Sequence, residues 1–185
     1  MYKDEMVKAE GKMKDTVEAA VKDFATVRTG RANPALLDRI VVDYYDTPTP
    51  LNQLASVSAP EPRLLVITPW DKSVLGKIER AIQKSDLGLV PTNDGNVIRL
   101  VIPHLTEERR RDLVKLVRKM AEEKRVAIRN VRRDAIERFR AMEKEGTITE
   151  DDLKRAQDEV QKLTDKYIGE VDKLLADKEV EIMQV

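Results

Sequence analysis

Between residues 1 and 30, Met6, Met13, Val17, Ala20, Phe24 and Val27 recur at the three-and-four spacing that puts apolar groups on one stripe of a helix, with Glu10 interrupting it. A second stripe runs Leu113, Val117, Met120, Ile128, Val131, Ala135, Phe139 and Met142, and carries Lys124, whose ammonium must reach past its neighbours to water. Thr106 reads as the N-cap of this helix, followed by Glu107 and Glu108, where carboxylates favour the helix dipole. Gly146 ends it. Thr149 and Asp152 form a variant capping box that opens a third helix, with Leu153, Ala156, Val160, Leu163, Tyr167, Val171 and Leu174 on its stripe.

From 31 to 105 the period changes to that of strands. RIVVDYY, LASVSA, RLLVIT and NVIRLVI are short β-branched runs, and one helix is predicted among them, capped by Asp71 and buried through Val74, Leu75, Ile78 and Ile82. Thr92 to Asn96 carries hairpin-turn residues before the last strand. All eight prolines lie between Pro34 and Pro103, so both flanks are free to be uninterrupted helix. The short connection at Gly146 makes the last two helices antiparallel neighbours. The predicted fold is α+β: an elongated antiparallel three-helix bundle from 1–30 and 106–185, with an inserted smaller β/α/β sandwich domain at 31–105. Two short linkers near 29–31 and 103–105 allow a hinge. The middle helix would span roughly 60 Å at 1.5 Å per residue.

Composition agrees with long solvated helices: 37% of the 185 residues are charged and 4% aromatic, against roughly 25% charged in an average domain. Cysteine is absent, which excludes disulfides, thiolate metal sites and thiol nucleophiles. The N-terminal residues mix both charge signs without an apolar stretch, and no apolar run approaches a membrane span, so the expectation is a cytoplasmic protein with no membrane contact.

Catalytic constellations are missing. There is one histidine, and neither a nucleotide-binding glycine loop nor a G-x-S-x-G motif. His104, in a linker after a proline, is expected to be incidental, and the acidic pairs at helix starts are explained by capping. No enzyme, metal or cofactor is expected. Trp70 is expected to pack between sheet and helix, and Tyr44 and Tyr45 to occupy opposite faces of a strand.

Charge is balanced overall, 34 basic against 34 acidic residues, but 106–145 carries fourteen basic and nine acidic residues while 146–185 carries six and eleven. Arg111, Arg118, Arg125 and Arg132 repeat every seven residues, and Arg129 and Arg140 fall on the same side of the helix. That side is centred roughly 130° from the apolar stripe and is expected to be exposed and short of matching glutamates. R-V-A-I-R-N-V-R-R concentrates four arginines in nine residues, and Arg28 and Arg31 add charge at the linker. A guanidinium fork suits bidentate phosphate binding. With no interleaved aromatics, the pattern points to the backbone and shape of folded RNA rather than stacked single strands. Composition alone also permits a helical adaptor or chaperone that binds protein.

Several motifs carry a family resemblance. R-T-G-R-A-N-P-A-L-L-D at 28–38, Y-Y-D-T-P-T-P-L-N-Q-L-A at 44–55, S-D-L-G-L at 85–89, G-N-V-I-R at 95–99, L-T-E-E-R-R at 105–110, I-R-N-V-R-R-D-A at 128–135 and Q-K-L-T-D at 161–165 resemble the ribosome recycling factors in order and spacing, end to end. Asp46 stands where that family usually has glycine, a substitution compatible with a turn. The resemblance implies an L-shaped molecule with the outline of a transfer RNA. It implies a factor that, with elongation factor G and GTP, splits the post-termination ribosome, without a nucleotide site or cofactor of its own. It also implies a monomer whose rod lies on ribosomal RNA of the large subunit. By motif, that contact falls to Arg129 and Arg132, then to Arg28, Arg31 and Arg133, with Arg118 and Arg125 as further members of the stripe.

Overall fold

In the computed structural model, which describes residues 2–184, the chain begins with helix α1 (Tyr2–Ala25), and the proline-bearing stretch follows. After a 3-10 turn at Pro34–Leu37 come β1 (Val41–Tyr44), β2 (Thr47–Pro50), the single turn α2 (Leu51–Leu54), β3 (Ala55–Glu61) and β4 (Leu64–Pro69). Then a 3-10 turn at Lys72–Val74 leads into α3 (Leu75–Lys84), followed by β5 (Pro91–Asn93), β6 (Ile98–Val101), α4 (Glu107–Lys144) and α5 (Glu150–Met183). The Cα positions divide into two units, Met1–Thr29 with Thr106–Val185, and Gly30–Leu105.

The first unit is a three-helix bundle. Contacts along the helices set their directions. Lys124 pairs with Asp23 and Arg138 with Glu5, so α1 runs against α4, whereas Tyr2 meets Glu159 and Glu10 meets Tyr167, so α1 runs with α5. Met13, Ala20, Val117, Ala121, Ile128, Phe139, Ala156, Val160 and Val171 are fully removed from water, as the apolar periodicity requires. Lys124 does extend outward, its Nζ 2.9 Å from Asp23. Glu10, which interrupts the stripe of α1, accepts a 2.7 Å hydrogen bond from the hydroxyl of buried Tyr167.

The helix ends follow local chemistry. Thr106 caps α4 by accepting from the Arg109 N–H, Gly146 leaves it at φ +77°, and Thr149 and Asp152 form the reciprocal capping box of α5. The last turn of α5 is satisfied from outside itself: buried Arg110 donates to the carbonyls of Ile182 and Gln184 at 2.7 and 2.8 Å. Glu181 accepts from the Thr29 hydroxyl at 3.1 Å.

The second unit has an antiparallel sheet in the order β3-β4-β6-β5 and a separate β1-β2 hairpin. One apolar cluster joins Val42 of β1, Ile78 and Ile82 of α3, and Leu65, Ile67, Ile98 and Leu100 of the larger sheet, the β/α/β layering that the fold class requires. Asp71 caps the turn before α3, accepting from the Ser73 N–H. The two ends of this unit meet. Gly30, at φ +76°, lies so close to Leu105 that a Cβ would come within 3.0 Å of its Cγ.

Three expectations are corrected. Trp70 is 71% exposed rather than packed between sheet and helix. Alternation explains it: Leu65, Ile67 and Pro69 take the inner face of β4, leaving Thr68 and Trp70 outside. Tyr45 lies outside the strand, in the β1-β2 turn at φ +48° beside Asp46 at φ +64°, a turn with two left-handed residues. The strands β2 and β5 lie outside the four expected runs, because T-P-T-P and P-T-N carry prolines that read as breakers; both are edge strands, where a missing N–H is tolerated.

Candidate nucleic-acid interface

Every arginine of the seven-residue repeat sits along the flank of α4, but the flank is not free throughout its length. Arg118 Nε is 2.6 Å from Glu179, and Arg125 is 2.6 Å from Asp172. As the α4 partner advances by seven residues, the α5 partner retreats by seven, which makes these contacts rungs of one antiparallel ladder. The expectation of a side without matching carboxylates therefore fails. Glu179 and Asp172 stand on the neighbouring helix, outside any count of i,i+4 pairs within α4.

Arg125 shows what the ladder does to a guanidinium. Its side chain is only 21% exposed, and burial disfavours its charge, yet hydrogen bonds to Asp172 and Glu122 raise its pKa above the ordinary value. Arg118 is raised in the same direction, chiefly by its hydrogen bond to Glu179. Arg111 at the start of α4 pairs within its own helix, with Glu107 at 2.9 Å.

Farther along α4 the balance changes. Between Lys124 and Arg133 there are five basic residues and no acid. Arg129 is 46% exposed and among the described residues reaches only Glu122, at 3.3 Å, a carboxylate that it shares with Arg125. Arg133 is 63% exposed and among the described residues meets only its chain neighbour Asp134, also at 3.3 Å. Arg132 has a neutral partner, donating to Gln161 Oε1 at 2.9 Å. Three guanidinium groups thus stand within five residues of one helix against two carboxylates, one of which also serves Arg125, and they are fixed on a rigid element rather than a loop. Charge-assisted, planar and partly desolvated, such a group of donors suits phosphate oxygens.

Arg28, just after α1 in the bundle, and Arg31, at the start of the second unit, are both exposed. His104 is exposed as well, and among the described residues no group of His, Asp and Glu side chains is arranged to hold a metal ion. No described helix is long and apolar enough to cross a membrane. Two polar residues to which the sequence assigns no role act here: Arg110, which closes the end of α5, and Gln161. Gln161 had a signal, standing four residues before Asp165 in a helix whose Asp165, Asp172 and Glu179 share the arginines' spacing.

Comparison with known proteins adds an independent result. A family model described as ribosome recycling factor matches residues 20–183. The ribosome-recycling factor of Carboxydothermus hydrogenoformans is 61% identical over 185 residues, covering 100% of both chains. That of Bacillus pumilus is 56% identical over the same length and coverage. Among solved structures, a solution structure of the ribosome recycling factor matches with TM-score 0.79 and 48% identity, over 100% of this chain and 98% of the other. A second match, with TM-score 0.68 and 48% identity over 100% of both chains, comes from models of the T. thermophilus ribosome recycling factor and the E. coli elongation factor G bound to the E. coli post-termination complex.

Proposed function

Because the chain belongs to the ribosome recycling factor family, we propose that the arginine cluster of α4 is the surface with which it grips ribosomal RNA of the large subunit. The chain is a translation factor and not an enzyme; with elongation factor G and GTP it splits the ribosome left after termination, freeing messenger and transfer RNA. The observation that carries the RNA assignment is the incomplete neutralisation of Arg129, Arg132 and Arg133, close together on a helix whose Arg118 and Arg125 are tied to acids of α5. Those three contact phosphate. Arg28 and Arg31 add to the attracting field. Arg118 and Arg125 contribute charge at longer range while chiefly tying α4 to α5.

The factor works as a single copy in the cytoplasm. The three helices cover their apolar stripes with one another, so the bundle needs no second chain to complete its core.

Sedimentation with purified large subunits at several salt concentrations tests the assignment. Arg132→Ala is expected to weaken binding about tenfold and to reduce the magnitude of the salt slope by about 0.7–0.9, the value of one lost phosphate contact. Unchanged affinity and slope would remove Arg132 from the interface, and a wild-type chain that stayed in the supernatant at every salt concentration would favour a protein adaptor.

A further inference from the structure

We propose that Gln161 is a positioning residue for Arg132, holding its guanidinium in place without cancelling its charge. The inference deepens the RNA assignment above and rests on it.

The register of the ladder carries the argument. Arg118 meets Glu179 and Arg125 meets Asp172, so the next step of seven brings Arg132 opposite Asp165. A third ion pair would follow from the spacing alone. Instead, Arg132 donates to Gln161 Oε1 at 2.9 Å, and Gln161 Nε2 donates to Asp165 Oδ1 at 2.9 Å. The amide stands between the cation and the acid that the register assigns to it.

Among common side chains, a carboxamide suits this place because it accepts at one end and donates at the other. The reverse orientation would set donor against donor and acceptor against acceptor, so its two partners fix how the amide points. Asp165 thereby locks Gln161, and Gln161 locks Arg132. On the first two rungs a carboxylate touches the guanidinium at 2.6 Å; on the third the negative charge is held one side chain away, where Coulomb attraction is weaker and more readily screened. Arg132 therefore pays little rotamer entropy on binding and still presents a net positive fork beside Arg129 and Arg133.

The experiment uses the full chain and purified large subunits, with affinity measured as a function of salt for Gln161→Glu, Gln161→Met, Arg132→Ala and the double variant Gln161→Glu/Arg132→Ala. Gln161→Glu puts a carboxylate on the guanidinium and is expected to weaken binding about tenfold, with a salt slope approaching that of Arg132→Ala. Gln161→Met releases the side chain without adding charge and is expected to weaken binding about threefold with the slope unchanged. In the Arg132→Ala background, Gln161→Glu should have little further effect. Helix content and the thermal midpoint should stay close to wild type throughout, since Gln161 is exposed.

The inference is overturned if Gln161→Glu or Gln161→Met binds like the wild type while Arg132→Ala binds weakly, or if Gln161→Glu costs as much without Arg132 as with it, which would mark a general charge effect. Wild-type binding by Arg132→Ala would instead remove Arg132 from the RNA contact proposed above, and this inference with it.

Discussion

Tyr167 illustrates how a single side chain reconciles a polar interruption with an apolar stripe. Its ring is buried in the bundle, while its hydroxyl donates to Glu10 at 2.7 Å. Burial and then the hydrogen bond to Glu10 push its pKa up to about 12. The folded state therefore prefers the neutral phenol, and the stability this supplies is complete below the ordinary tyrosine value of 10 and is lost as pH rises toward 12. Tyr167→Phe should cost about 1–2 kcal/mol at neutral pH, because it leaves a half-buried carboxylate oxygen without its donor. Chemical denaturation at neutral pH and between pH 10 and 12 checks this, the variant losing part of the alkaline dependence; a variant as stable as wild type would show the bond to be idle. The interruption at Glu10 was plain in the sequence, but its partner lies on another helix. Trp70 is the opposite case, since the alternation of Leu65 and Ile67 already placed it on the outer face.

At the scale of elements, the caps of the long helices were the most legible features because their chemistry is local. Thr106, Gly146 and Thr149 with Asp152 act where their residue types indicated, whereas Asp71 caps the 3-10 turn that leads into α3 rather than α3 itself. The β5-β6 hairpin adds a measurable consequence. The carboxylate of Asp94 accepts from the N–H groups of Val97 and Asn96 and from Arg99, and these bonds, that to Val97 first, hold its pKa down to about 2. A depressed carboxylate stabilises the folded state above its unfolded value, near 3.8, and ceases to do so as pH falls through about 2. Amide hydrogen exchange in the hairpin should accelerate over that interval in the wild type and change less in Asp94→Asn; identical acid profiles would show that the turn does not depend on this charge. The α4-α5 ladder was only half legible. The arginine repeat stood out, but its meaning required the matching acidic repeat of the neighbouring helix.

For the whole molecule, the division into two units means that damage to one core need not spread to the other. Ile67 is wholly buried in the cluster of the second unit. Ile67→Ala should destabilise that unit by about 2–5 kcal/mol, the usual range for an emptied aliphatic site. Hydrogen exchange should quicken across 30–105 while α4 and α5 keep their protection; uniform loss in both would indicate a single cooperative unit.

The ladder also constrains dimensions. From Thr106 to Arg132 the helix advances roughly 39 Å at 1.5 Å per residue. Because its rungs recur every seventh residue on both helices, the pairing looks the same after one heptad is added to or removed from each. Intermediate lengths would put arginines out of phase with acids. The bundle is thus a gauge graduated in steps of about 10 Å. A version shortened by one step, with all three helices trimmed together, would keep the α4-α5 register yet present the proposed RNA contact one graduation too near Thr106.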